Sequence, residues 1–169
     1  MFDAPTLQPA PTVAAPLPSQ PDFLVIGYGS DLHGDDGVGP WIANLVAGLE
    51  WPGVRCFALT QLTPDLASEL SRAKAVVFVD ASVRVAPGHF QVGSLTSASL
   101  QTLDSHHCTP ATLLSLAREL YGHAPVSWTM NIGASNFALG HPISPAVTRL
   151  REAILREMTV LRAWTSDAE

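Results

Sequence analysis

Basic residues are scarce in this sequence. Nine Lys and Arg stand against fifteen Asp and Glu, a formal net charge of −6. No basic block is present to neutralise a phosphate backbone, which argues against nucleic acid as a partner. An anionic membrane surface is disfavoured for the same reason. Cysteine is scarcer still: Cys56 and Cys108 are the only two, and neither belongs to a C-x-x-C pair. Two cysteines make no disulfide framework. Long apolar runs are also missing, and none approaches the roughly 18 residues expected of a membrane span. These absences together point to a cytoplasmic protein.

What is present suits an ordinary folded domain. The chain has 169 residues, 47% of them hydrophobic and 14% charged, enough to close a core without disulfides or a structural metal. The first twenty residues, MFDAPTLQPAPTVAAPLPSQ, are rich in Pro and Ala. They lack a basic n-region, and their prolines interrupt any apolar core that a signal peptide would need. They are expected to form a flexible tail before a single domain over residues 21–165, with a short second tail at 166–169. There is no internal repeat.

Along the domain, strand-like and helix-like segments alternate. FLVIG (Phe23 to Gly27) is a short apolar run, expected as a buried strand. Val38, Trp41, Ile42, Leu45, Val46 and Leu49 then recur at helical spacing. VRCFAL (Val54 to Leu59) predicts a second strand, and Thr63-Pro64 predicts the start of a short helix carrying Leu66 and Leu70. AVVFVD (Ala75 to Asp80) is the clearest strand, and a weaker one is expected around His89 to Val92. Thr109-Pro110 opens another helix, VSWTMNIG predicts the last strand, and Ser144-Pro145 caps a final helix with Val147, Leu150, Ile154, Met158 and Leu161 on one stripe. Such alternation predicts a three-layer αβα sandwich around a twisted, mainly parallel sheet of about five strands.

The segment GYGSDLHGDDGVG, Gly27 to Gly39, follows the first strand directly. Strand, glycine turn and helix make a Rossmann-like opening, but the third glycine of G-x-G-x-x-G would fall on Leu32. At the end of the second strand, Leu59, Thr60 and Gln61 stand where an acidic residue would grip a ribose. Asp35 and Asp36 would repel a pyrophosphate, and no G-K-(S/T) follows. A dinucleotide-binding protein is the less favoured alternative. One aspartate of the pair can cap the following helix. The other is then free to point into the crevice at the carboxyl ends of the strands.

Asp80, closing VVFVD, points to the same crevice, and His106 or His107 precedes the helix at Thr109. Two carboxylates and one imidazole with open positions suit Ni²⁺, Zn²⁺ or Co²⁺. No G-x-S-x-G supports a serine nucleophile. Cys108, though beside His107, reads as packing.

These residues resemble the hydrogenase maturation proteases, which trim the C-terminal extension from the large subunit of NiFe hydrogenases. The family's first strand leads into G-x-G-N-x-L-x-x-D-(D/E)-G-x-G. Here G-Y-G-S-D-L-H-G-D-D-G-V-G stands in its place, with Ser30 for the usual Asn. FALGHPISPAV (Phe137 to Val147) resembles the family's F-x-L-G-x-x-(L/I)-(S/T)-P-x-V segment. The resemblance runs from about Phe23 to the final helix. In place of a D-G-G-T-x-G stretch the chain has TQLTPDLASEL, which looks like the branch serving NAD-reducing, bidirectional hydrogenases.

The resemblance implies an endopeptidase acting on the hydrogenase large-subunit precursor, working as a monomer. It implies that Asp36, Asp80 and His107 are the catalytic and metal-binding residues, and that the metal is nickel already carried by the precursor rather than held tightly by the protease. The alternative is a nickel-sensing adaptor or chaperone that docks on the same subunit without cutting it. Whether a cleft carboxylate or a nickel-bound water starts the hydrolysis is open at this point.

Overall fold

Among the described residues five strands form one sheet, as the alternating pattern predicts. The computed structural model describes residues 21–95 and 108–164, so the expected tails at 1–20 and 166–169, and both His106 and His107, lie outside the described residues. The strands are β1 (Phe23–Tyr28), β2 (Val54–Leu59), β3 (Ala75–Ser82), β4 (Phe90–Ser94) and β5 (Val126–Gly133). The helices are α1 (Val38–Ala47), α2 (Leu66–Leu70), α3 (Pro110–Tyr121), α4 (Pro145–Thr148) and α5 (Arg151–Ala163).

The spatial order is β2-β1-β3-β5-β4. β1, β2, β3 and β5 run parallel, and only β4, at one edge, pairs antiparallel with β5. The central strands must be apolar on both faces because helices cover both. In β1, Phe23 and Val25 enter one core with Val77 and Val79 of β3, against Val38, Ile42 and Val46 of α1 and Ile154, Met158 and Leu161 of α5. Leu24 and Ile26 point the other way and join Val76 and Phe78 against Leu66 and Leu70 of α2 and Leu113, Leu114 and Ala117 of α3. Two-residue alternation in β1 and β3 thus separates the two layers. Each fully buried Val, Leu, Ile or Phe contributes about 1.5–3 kcal/mol.

Three local expectations change. α2 starts at Leu66, with Asp65 as its cap residue, because Pro64 and Asp65 form a turn in which the Leu66 N–H bonds the Thr63 carbonyl. The final helix is two pieces. The Leu150 N–H bonds the Val147 carbonyl three residues back, tightening the chain before α5 restarts, while Val147 and Ile154 stay fully buried. The edge strand β4 runs through Gly93 to Ser94 instead of stopping at the glycine. At α3 the sequence signal holds in detail: the Thr109 hydroxyl accepts the Thr112 N–H at 3.1 Å, Pro110 occupies the first turn, and Gly122 ends the helix at φ 77°.

Candidate active site

In this strand order the connections from β1 and β3 diverge, and the carboxyl ends of those two strands frame a crevice, the usual ligand position in open α/β sheets. A cleft of about 500 Å³ lies there, lined by Tyr28, Gly29, Asp36, Thr60, Gln61, Leu62, Thr63, Pro64, Asp80 and Cys108. Among the described residues its wall contains no Lys or Arg. A phosphate would meet two carboxylates and no counter-charge, which disfavours the dinucleotide alternative on chemical grounds.

The glycine turn builds one side of this cleft. A Cβ on Gly27 would overlap the carbonyl of Gly39, so only glycine lets the end of β1 cross the start of α1 this closely. Gly29 has φ +133°, and a Cβ there would overlap the Asp36 carbonyl. The turn therefore folds back until the Ser30 N–H donates to the Asp36 carboxylate at 2.7 Å. Asp36 is left half-buried on the cleft wall. Ser30, the departure from the resembled Asn, makes this contact through its backbone, while its hydroxyl lies 3.0 Å from Nδ1 of His33.

Neither aspartate caps α1. The cap residue is Gly37, with no side-chain cap bond. Asp35 is fully buried and turned away from the cleft. Its carboxylate accepts the backbone N–H groups of Ser135 (3.1 Å), Asn136 (3.0 Å) and Ser144 (2.7 Å), while its own N–H donates to the Asn136 carbonyl at 2.7 Å. The FALGHPISPAV segment is thereby tied to the glycine turn. Burial alone would raise the Asp35 pKa, but the bonds from Ser144, Ser135 and Asn136 outweigh it and hold the carboxyl below its ordinary 3.8.

Asp80 comes from β3. Gly27 pairs with Val79 in the parallel register, so Tyr28 and Asp80 stand one residue further along adjacent strands. Two-residue alternation puts Tyr28 on the face of Ile26 and Asp80 on the face of Phe78, and Tyr28 packs against that second core. Tyr28 and Asp80 both line the cleft, with the backbone of Ala81 beside the Asp80 carboxylate. Burial lifts the Asp80 carboxyl to about 6; the polar groups of Tyr28 and Ala81 beside it work against the lift, and the nearby Asp36 charge adds to it. The Tyr28 phenol is pushed well above its ordinary value, first by burial and then by the Asp80 charge beside it.

The structure thus brings Asp36 and Asp80 to one cleft, where the Asp36 charge adds to the cost of ionising Asp80. A pair of hard oxygen donors in mutual repulsion fits a divalent cation. Among the described residues, no third His, Cys, Asp or Glu completes a metal-holding group. Cys108 reaches the cleft wall as well as packing against the second core. Burial, and then the charge of Asp65, pushes its thiol pKa up, so it is no activated nucleophile. Tyr28 is the cleft residue that sequence reasoning passed over. Its signal was the L-x-I-x-Y alternation of β1, which becomes informative once β1 is set beside V-x-F-x-D of β3.

A scan against protein-family models and a search of the curated proteins found no match. Solved structures do match. The NiFe hydrogenase maturation protease HycI from Thermococcus kodakarensis KOD1 superposes with a TM-score of 0.65 at 20% identity, over 83% of this chain and 92% of that one. The hydrogenase maturating endopeptidase HybD from E. coli gives 0.65 at 20% identity, over 86% and 93%. The chain shares their fold. A hydrogenase 2 maturation peptidase from Thaumarchaeota archaeon SCGC_AB-539-E09 is similar too, at TM-score 0.59 and 22% identity over 80% and 94% of the two chains. The expected α/β architecture with a mainly parallel five-stranded sheet is therefore the observed one. Among the described residues no helix is long and apolar enough to cross a membrane.

Proposed function

We propose that this protein is an endopeptidase that removes the C-terminal extension from the large-subunit precursor of a NiFe hydrogenase, and that it does so on precursor already carrying nickel. The observation that carries this reading is the meeting of Asp36 and Asp80 in one cleft at the carboxyl edge of the sheet. The solved proteins that share the fold are named as proteases of hydrogenase maturation, which gives the reading its substrate class. The sequence TQLTPDLA, which forms the cleft wall from Thr60 to Pro64, supports a place in the branch serving NAD-reducing hydrogenases.

In this reading Asp36 and Asp80 take the precursor's nickel, with His107 as the third ligand, and the ion positions the scissile peptide in the cleft. Hydrolysis consumes one water. Its oxygen bonds the scissile carbonyl carbon, the C–N bond breaks, and the water's proton passes by way of a cleft carboxylate to the leaving amine. An unloaded precursor brings no cation to offset the carboxylate pair, so the site distinguishes assembled from unassembled substrate. The protein works as a monomer in the cytoplasm, where its substrate is made.

The test is incubation of purified protein with matched nickel-loaded and nickel-free precursors, followed by intact-mass measurement. Loss of a C-terminal fragment from the loaded sample alone is expected. Binding of loaded precursor without any change in mass would make the protein a nickel-sensing adaptor, and equal cleavage of both samples would remove nickel from the recognition.

A further inference from the structure

Past the end of β5 the chain runs beside the glycine turn, and two backbone bonds fix the pair. The Asp35 N–H donates to the Asn136 carbonyl at 2.7 Å, and the Gly140 N–H donates to the Leu32 carbonyl at 2.8 Å. The three N–H groups held by the Asp35 carboxylate tighten the same contact, and the Asn136 side-chain oxygen accepts the Ala138 N–H at 3.2 Å. Gly34, at φ +57°, lies so close to the Asn136 carbonyl that a Cβ would overlap it. A surface pair of segments fixed in this way would ordinarily turn polar side chains to water. This one exposes Leu32 (62%), Phe137 (39%) and Leu139 (69%). Every residue from Phe137 to Pro142 is exposed, and none is Asp, Glu, Lys or Arg. The exposed apolar residues Leu120, Tyr121 and Val126 stand at the other end of the sheet, around the start of β5.

We propose that Leu32, Phe137 and Leu139 form a docking surface for the folded body of the nickel-loaded precursor, seating an apolar, uncharged patch of it beside the cleft. This rests on the function proposed above. Leu32 precedes Asp36 by four residues in the same turn, so the surface adjoins the cleft wall. A C-terminal extension that enters the cleft stays joined to the folded precursor, which is thereby held at the cleft's rim. The composition of the surface states what the precursor presents there, since an unpaired charge buried against these side chains would be costly. Exposed apolar patches of this kind mark protein contacts. The hydrogen bonds fix the backbone before the partner arrives, so docking does not have to order it, which favours affinity. A second copy of this chain on the same surface would stand at the rim and compete with substrate. The chain's own first twenty residues precede β1, whose far end leads into the turn.

Leu32→Ser combined with Leu139→Ser removes the two most exposed of the three side chains, and Leu120→Ser removes a similarly exposed one from the other end of the sheet. For each protein kcat and KM are measured on nickel-loaded precursor, with Kd in place of KM where the precursor stays uncut. A thermal melt, Ni²⁺ affinity by competition with a chromogenic chelator, and sedimentation accompany them. The double variant should raise KM or Kd at least about tenfold, with kcat within about twofold of wild type. Its melt and Ni²⁺ affinity should not move, and L120S should match wild type throughout. A folded double variant with wild-type KM or Kd overturns the proposal, and so does an equal rise in L120S. A loss confined to kcat, or weakened Ni²⁺ binding, places these side chains in the site itself and also overturns it. Should the double variant not fold, Leu139→Glu decides: it must raise KM or Kd at least as much, and a variant at the wild-type value, or one that does not fold either, overturns the proposal. A lowered KM would mean that the chain's own first twenty residues compete for the surface. A wild-type dimer that the substitutions dissociate would make the occupant a second copy. Either result overturns the proposal. Wild-type protein that neither binds nor cleaves loaded precursor brings down the proposed function and the docking surface together. Normal cleavage of loaded precursor by every variant brings down the docking surface alone.

Discussion

Asp35 and Asp36 are adjacent in the chain and serve opposite sides of the same turn. The Asp35 carboxylate is buried beneath three backbone N–H groups of residues 135–144, while the Asp36 carboxylate accepts the Ser30 N–H and lines the cleft. One aspartate builds the site and the other is exposed to use.

The two should separate cleanly on substitution. Asp35→Asn replaces one carboxylate oxygen by an NH₂ that cannot accept, leaving at least one buried N–H unpaired and the others without charge assistance. A loss of about 2–4 kcal/mol is expected. Asp36→Asn keeps an oxygen for the Ser30 N–H and caps no helix, so its cost should stay below about 1 kcal/mol. Processing should fail in D36N despite near-normal denaturant melts, and D35N should show the reverse order of damage. Equal destabilisation of the two variants would contradict this division.

Asp35 also sets an acid limit. Its folded pKa is depressed below 3.8, so its stabilisation is complete above that value and is lost as pH falls through the folded pKa. Melting temperature should therefore drop steeply below about pH 4 in the wild type. The D35N protein, lower throughout, should show a shallower acid slope. Parallel wild-type and D35N profiles between about pH 2 and 5 would assign the acid limb to other carboxylates.

Much of this was legible in the sequence, for identifiable reasons. Strand alternation and helical spacing follow from burial, which is why β2 and β5 fall on VRCFAL and VSWTMNIG, and why the Thr109-Pro110 and Gly122 signals bound α3. The division of labour between Asp35 and Asp36 was not legible. It depends on backbone N–H groups a hundred residues away, which no local pattern reports. Tyr28 was invisible for a related reason: its place beside Asp80 on the cleft wall is set by inter-strand register, and register belongs to the sheet rather than to either strand.

Removing the Asp80 charge should stabilise the protein in the absence of metal. Its folded pKa of about 6 lies above the ordinary 3.8. The fold thus favours the protonated form, with full benefit at low pH and the benefit lost as pH rises through about 6. Above that, the charged carboxylate is a burden of about 1–2 kcal/mol after allowance for its partial exposure. D80N should melt a few degrees higher than wild type at pH 8, converge with it near pH 4, and process no precursor. A lower melting temperature at pH 8 would show that the charge is structural.

Cys108 offers a way to block the cleft without touching a carboxylate. It lines the wall and is half-buried, and its thiol is held protonated by burial, so alkylation should be slow. Cys108→Ala should process precursor at close to the wild-type rate. Wild-type protein carrying a bulky maleimide at Cys108 should lose processing, while C108A treated identically should not. Inhibition that persists in treated C108A would place the sensitive thiol at Cys56 instead.

Under the proposed function His107, rather than His106, joins Asp36 and Asp80, as the family resemblance implies. Thr109 caps α3, and Cys108 meets the cleft one residue earlier, so the chain enters the helix from the cleft wall. His107→Ala should therefore abolish processing and weaken Ni²⁺ binding by at least tenfold, a loss consistent with removing a ligand outright where an outer contact alone costs 10–100-fold. His106→Ala should leave both close to wild type. The same pair of measurements on folded proteins decides the register: if H106A loses nickel and H107A does not, the ligand is His106. If neither loses nickel, the two carboxylates bind the ion without an imidazole from this pair.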